Sequence, residues 1–204
     1  MGATRSLKRK KQKANPFYKE RRRIQREETR AERGLKKAYV NSLLMDMDCR
    51  RESLHNLSML FLFTMHIRYG FGVGRLKRLQ AKMQNEMDCI IYKYVTVEEI
   101  AAFLRDEIKY DAGIEAKDPR ANHYRQIELE VIKEMSAAFL MALVDEFGFR
   151  KKRLTGAYDA AAELGDMLDS GKTSFEEITK KMEEIAKKGG RKNEGAKNHA
   201  TSGS

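Results

Sequence analysis

Glu52 and His55 stand three residues apart in a stretch of helix-forming residues, the spacing with which Glu-x-x-His helices ligate metals, and Asp48 lies one turn earlier on the same face. A carboxylate site of that kind needs a second Glu-x-x-His on a facing helix, and the chain contains none, so the three read as a solvated polar face. The four histidines, His55, His66, His123 and His199, sit beside no GxSxG or HExxH pattern. Cys49 and Cys89 are the only cysteines and form neither a CxxC pair nor a Cys/His zinc spacing, which fits a reducing compartment. Gly171-Lys172-Thr173 has the ending of a phosphate loop. The glycine required five residues before Gly171 is Asp166, Gly165 is one residue too far, and no strand precedes the segment. No nucleophile, general base, metal or cofactor is indicated, and the expectation is a protein that is not an enzyme.

The chemistry that remains is charge, and its placement matters more than its sum. Of 204 residues, 41 are Lys or Arg and 30 Asp or Glu, a net of +11. Residues 1–37 hold fifteen of those cations against four glutamates, which accounts for the whole excess. Residues 38–186 carry 21 basic and 25 acidic side chains, and the tail from Lys187 on has five basic residues against Glu194 alone. A slightly acidic body therefore has basic ends. An arm this dense in cations gains affinity for phosphate backbones by releasing condensed counterions. Its candidate contacts are Arg5, Lys8, Arg9, Lys10, Lys11, Arg21, Arg22, Arg23, Arg26 and Arg30. Glu20, Glu27, Glu28 and Glu32 offer the bland alternative, a solvated helix with intrahelical ion pairs.

Gly70–Leu76 (GFGVGRL) has the form of a Gly-hydrophobic-Gly hairpin that opens a helix and can turn backbone amides toward a phosphate, with Arg75, Lys77 and Arg78 following. A second Gly-Phe pair at Gly148-Phe149 leads into Arg150-Lys151-Lys152-Arg153, more basic but lacking the second glycine. Met1-Gly2-x-x-x-Ser6 fits the myristoylation pattern with lysines and an arginine after it, a modification not expected of a bacterial or phage protein.

KERRRIQREETRAERG, within the arm, resembles in composition and helical character the arginine-rich RNA-binding peptides of phage antitermination proteins. YGFGxGRL from Tyr69, with YVTVEE downstream, looks like small uncharacterised proteins carried by phages of Gram-positive bacteria. The first resemblance implies RNA contact by about twenty residues. The second covers forty to fifty residues, implies a cytoplasmic setting in a bacterial host cell, and brings no activity with it.

Positioning these groups falls to helices. Asn15-Pro16 suits an N-cap followed by a first helical position, and helix formers then run on with Gly34 as the one interruption. Two helices, or one long one hinged near Gly34, fit equally well. Val40, Leu43, Met47, Leu54, Leu57 and Phe61 recur at helical spacing, broken by Arg50 where an apolar residue is expected. The longest apolar run, residues 57–65 (LSMLFLFTM), falls well short of the roughly 20 residues that span a bilayer and reads as a core helix. No secretory signal follows the basic N-terminus.

Residues 61–100 and 139–178 align without gaps at an offset of 78, with identity at ten of forty positions, including Gly70/Gly148, Phe71/Phe149, Arg75/Arg153, Leu76/Leu154, Asp88/Asp166 and Glu99/Glu177. The glycines suit left-handed positions after apolar helices, and Thr96-x-x-Glu99 and Ser174-x-x-Glu177 both read as capping boxes. Arg75/Arg153 and Asp88/Asp166 remain, and the bland expectation for each is an ion pair with a neighbouring helix.

The fold expected is all-α: a basic arm over 1–37, a first helical unit over 38–110, a linker over 111–121, a second helical unit over 122–188, and a disordered tail over 189–204. The function expected is a non-enzymatic nucleic-acid-binding accessory protein, contacting phosphates non-specifically through the arm and secondarily through Arg75, Arg150, Lys151, Lys152 and Arg153. The alternative is a structural or adaptor protein whose acidic, Met-rich helical body binds another protein. No membrane span is expected, and no feature of the sequence sets an oligomeric state.

Overall fold

The structure, a computed structural model, describes residues 16–114 and 120–198. All six elements are helices: α1 (Pro16–Tyr69), α2 (Val73–Ile91), α3 (Val97–Asp106), α4 (His123–Phe147), α5 (Lys151–Asp169) and α6 (Phe175–Asn198). No strand occurs among the described residues, and no helix there is long and apolar enough to cross a membrane. The chain divides into two compact units, Met1–Asp48 and Cys49–Ser204.

In the first unit α1 runs through Gly34 without interruption, so the hinge allowed by the sequence is not used. Arg, Lys, Glu and Gln are good helix formers, and Arg23 pairs with Glu20 and Glu27, and Lys36 with Glu32, at helical spacings. One glycine in a long exposed helix costs only about 1 kcal/mol, which such neighbours absorb.

The second unit begins within α1, eleven residues later than the boundary expected at 37/38, and residues 49–204 form one unit with one apolar core. At its centre Phe61 of α1 and Phe139 of α4 stack with ring centroids 4.3 Å apart and planes 7° from parallel. Elements from the two sequence-similar segments interleave around that pair. Arg78 and Lys82 of α2 bridge to Glu146 and Asp145 of α4. The Tyr69 hydroxyl at the end of α1 donates to the Arg153 carbonyl of α5 (2.9 Å), and Lys181 of α6 lies 5.7 Å over the Phe63 ring.

Turns at matched spacing set the directions of these helices. Gly70 (φ +60°) and Gly148 (φ +62°) each end an apolar helix in the left-handed region, their amides donating to His66 and Val144, with Phe71 and Phe149 donating to Met65 and Leu143. Thr96 closes a full capping box with Glu99, holding that carboxyl below its usual pKa through hydrogen bonds from the Thr96 amide and hydroxyl. The second expected box does not close. Ser174 caps the Glu177 amide, but the Glu177 carboxylate takes the Thr173 hydroxyl (3.0 Å) instead. Helix α6 extends to Asn198, into the segment expected to be a disordered tail, and residues 199–204 lie outside the described ones.

Candidate nucleic-acid interface

Unit 1 presents its cations on a helix whose residues 20–37 are all exposed. At about 100° per residue, Arg22, Arg26, Arg30, Arg33 and Lys37 fall within an arc of roughly 80° and extend about 22 Å along α1. Glu20, Glu27, Glu28 and Glu32 lie outside that arc. The ion pairs respect the division: Arg23 and Lys36, off the arc, take Glu20, Glu27 and Glu32. Arg26, Arg30, Arg33 and Lys37 make no ion pair among the described residues. Arg21 points away from this face. Arg5, Lys8, Arg9, Lys10 and Lys11 lie outside the described residues. Arg33 and Lys37 were not among the residues singled out from the sequence, although the spacing 22, 26, 30, 33, 37 contains the signal.

Unit 2 brings the two Gly-Phe turns together. The Phe71 and Phe149 rings stand 6.4 Å apart, with Phe147 4.8 Å from Phe71 and Tyr69 5.3 Å from Phe149. Helices α2 and α5 both start here, from Gly72 and Arg150, and neither has a side-chain cap on its first amides. The ion pairs expected for Arg75 and Arg153 are not what holds them. Each guanidinium lies over the phenylalanine of its own turn, Arg75 5.0 Å from Phe71 and Arg153 5.5 Å from Phe149, and both stay exposed. An aromatic face attracts the cation without neutralising it, so the charge stays available to solvent. Arg78 differs, being held by Glu146 as well as the Phe147 ring. Lys151 and Lys152 are exposed, as expected. Lys82 is spent structurally: its hydrogen bond to Glu86, with a second to Asp145, raises its pKa. Burial raises the pKa of the Tyr69 hydroxyl against the lowering charges of Arg68 and Arg153.

The other candidate chemistries find no support. Glu52 and His55 are both exposed, and no group of three His, Cys, Asp or Glu among the described residues could hold a metal. The Gly171 turn has its amides engaged, Lys172 and Thr173 both donating to the Met167 carbonyl, so it has no cradle for a phosphate. A groove that sequence reasoning missed is lined by Arg105, Lys109, Tyr110, Lys151 and Asp159. Desolvation, reinforced by nearby Tyr158, Asp159 and Asp111, pushes the Tyr110 hydroxyl up to about 12. Asp111 and Asp159 also make this groove mixed in charge rather than an anion site. Compared with protein-family models, curated proteins and solved structures, the chain matches none.

Proposed function

We propose that the protein is a non-enzymatic nucleic-acid-binding accessory protein that contacts phosphate backbones through the cationic face of unit 1. The observation that carries this reading is the sorting of charge on α1: Arg26, Arg30, Arg33 and Lys37 share one exposed face and make no ion pair among the described residues, while Glu20, Glu27 and Glu32 pair off that face. A merely solvated helix has no need of that segregation. The paired turns of unit 2, with Arg75, Arg150, Lys151, Lys152 and Arg153 around four aromatic rings, supply a second, weaker contact region. Both regions offer point charges and forks suited to phosphate, so binding without sequence preference is expected. The acidic-body adaptor reading predicts instead that polynucleotide affinity is small and indifferent to the α1 face.

Fluorescence anisotropy with a generic DNA duplex and a single-stranded RNA at several salt concentrations tests this. Replacing Arg26, Arg30 and Arg33 with Glu should abolish most binding and flatten the salt dependence, by about one unit of log–log slope for each phosphate no longer neutralised. Arg21→Glu, off the face, should weaken binding less than Arg30→Glu. Affinity unchanged in the triple variant would overturn the proposal, as would equal effects of the two single changes.

A further inference from the structure

Contacts at the end of unit 2 that carries the Gly-Phe turns are reciprocal. Phe71 packs on Phe147 (4.8 Å), and their counterparts seventy-eight residues away, Phe149 and Tyr69, pack on each other (5.3 Å). Arg78 lies over the Phe147 ring, and at its counterpart Gly156 a Cβ would stand 3.0 Å from the Tyr69 hydroxyl. Phe71 meets Phe149 and Phe61 meets Phe139, so at those places each ring packs on its own counterpart. Exchange of this kind is the mark of a local two-fold relation, in which one residue touches a second and their counterparts touch in the same way. The axis runs between the rings of the two self-paired couples, and Arg75 and Arg153, exposed over Phe71 and Phe149, flank it. Residues 66–78 and 144–156 contain two acids, Asp145 and Glu146, and Lys82 and Arg78 hold them. Neither Arg75 nor Arg153 is neutralised by them.

We infer that this two-fold cationic face takes duplex DNA, with Arg75 on one strand and Arg153 on the other. The inference rests on the phosphate-binding reading above and adds the form of nucleic acid that unit 2 selects. Symmetry and charge together decide the occupant. A duplex is a polyanion whose antiparallel strands are themselves related by two-fold axes, as the pairing of two-fold proteins with palindromic sites exploits, and a single strand has no such axis. The ring and guanidinium spacings keep the two arginines within about 17 Å of each other, near enough to reach both strands across the minor groove of B-DNA, which is roughly 6 Å wide. The wide, shallow minor groove of an RNA duplex sets its strands further apart there. Each guanidinium is a planar fork suited to a phosphate, and the phenylalanine beneath it limits its freedom while leaving its charge intact.

Anisotropy titrations of the full chain at several salt concentrations, with a DNA duplex, one of its strands alone and an RNA duplex of the same length, test this. Arg75→Gln and Arg153→Gln should each lower the salt slope on duplex DNA by about one unit, and by about two together, with the single-strand slope nearly unchanged. Gly74→Glu with Lys152→Glu is a second probe, at counterpart positions that are each the second residue of their helix. Carboxylates are favoured in a first helical turn, a Cβ at Gly74 meets nothing within 4 Å, and Lys152 is exposed, so thermal unfolding should be kept. Duplex DNA affinity should nevertheless fall by about tenfold or more, and further than single-strand affinity. Equal losses on duplex and single strand overturn the inference, as does a duplex affinity indifferent to these substitutions. An effect carried by Arg153 alone overturns it too, because two-fold engagement needs both arginines. Each of those results leaves phosphate binding through α1 standing, whereas a chain that binds no nucleic acid in any form overturns both readings.

Discussion

At Lys93 the chain turns through φ +59°, and at Gly171, seventy-eight residues later, it turns through φ +70° with the same hydrogen bonds. Lys93 donates to Ile90 and Tyr94 to Cys89; Gly171 donates to Leu168 and Lys172 to Met167. The segments 61–100 and 139–178 each have this turn, a Gly-Phe turn before it, one helix of 19 residues between the two, and an arginine stacked on the turn phenylalanine. They differ in what holds the shape. One makes the left-handed turn with glycine and the other with lysine; one closes a capping box and the other diverts its glutamate to Thr173. The turns recur at the two places, and the polar chemistry supporting each is local.

The largest test of that difference is Arg50. Its guanidinium bonds the carboxylate of Glu134, with side chains 32% and 14% exposed, and Glu130 lies at 4.0 Å. The positions related by 78 are Glu128 and Asn56, so no equivalent pair supports the other side. Burial raises the Glu134 pKa, and Arg50 opposes the rise. Arg50→Met leaves a half-buried carboxylate without its cation and should cost about 2 kcal/mol near neutral pH, below the 3–5 kcal/mol of fully buried pairs because Arg50 reaches solvent. The sign with pH follows. Loss of Arg50 raises the folded-state pKa of Glu134 further, so the folded state binds its proton more tightly than the unfolded chain. The deficit is present above that pKa and shrinks as pH falls through it. Adding Glu134→Leu should recover most of the loss. Urea titrations of the parent and both variants at neutral and mildly acidic pH measure each outcome, and an Arg50→Met variant as stable as the parent would mean that the pair does not help hold α1 against α4.

Smaller effects attend the left-handed turns. A Cβ added at Gly70, Gly148 or Gly171 meets nothing within 4 Å, so the cost of alanine there is that of the backbone alone. Gly70→Ala and Gly148→Ala should each cost about 1 kcal/mol, as should Gly171→Ala, and Lys93→Gly should gain up to about 1 kcal/mol, less the entropy of a freer unfolded chain. Thermal unfolding checks the four together. Equal losses at Gly70 and Gly148 would show that the two turns are strained alike. A Lys93→Gly variant that gains nothing would place the lysine's value in its side chain rather than its backbone.

Much of this was legible in the sequence because local rules decide it. Helical spacing gave the all-α class, glycines after apolar helices gave the left-handed turns, and Thr96-x-x-Glu99 gave a cap. What failed was the choice among partners that only packing brings close. Arg75 and Arg153 stack on their own turns because Phe71 and Phe149 are held in place by each other's neighbours, a relation between residues 78 apart. The Glu177 carboxylate, expected on the Ser174 amide, took the Thr173 hydroxyl instead. The stripe from Val40 to Met47 has the spacing of a core face and is exposed, since periodicity shows that a face is apolar but not what covers it. The cationic face of α1 was readable from spacing, and weighing composition rather than register obscured Arg33 and Lys37.

The finest contrast between the segments is an exchange of a hydroxyl for a side chain. Tyr69 and Phe147 are related by 78, as are Arg78 and Gly156. Where the aromatic is Phe147, Arg78 lies 5.5 Å over its ring. Where it is Tyr69, the hydroxyl occupies that space: a Cβ built at Gly156 would stand 3.0 Å from it, while the hydroxyl donates to the Arg153 carbonyl. In the parent, Gly156→Ala gains helix propensity of about 1 kcal/mol in the interior of α5 but must push aside a hydrogen-bonded hydroxyl of similar worth, so the net change should be within about 0.5 kcal/mol. Tyr69→Phe alone should cost about 1 kcal/mol through the lost bond. In that background Gly156→Ala meets no hydroxyl and should stabilise by close to its full propensity, giving a favourable coupling of about 0.5–1 kcal/mol in the double-mutant cycle. Additive changes would mean that the hydroxyl moves aside freely and that the glycine is there for another reason. Coupling of the expected sign would tie Gly156 to Tyr69 as Arg78 is tied to Phe147.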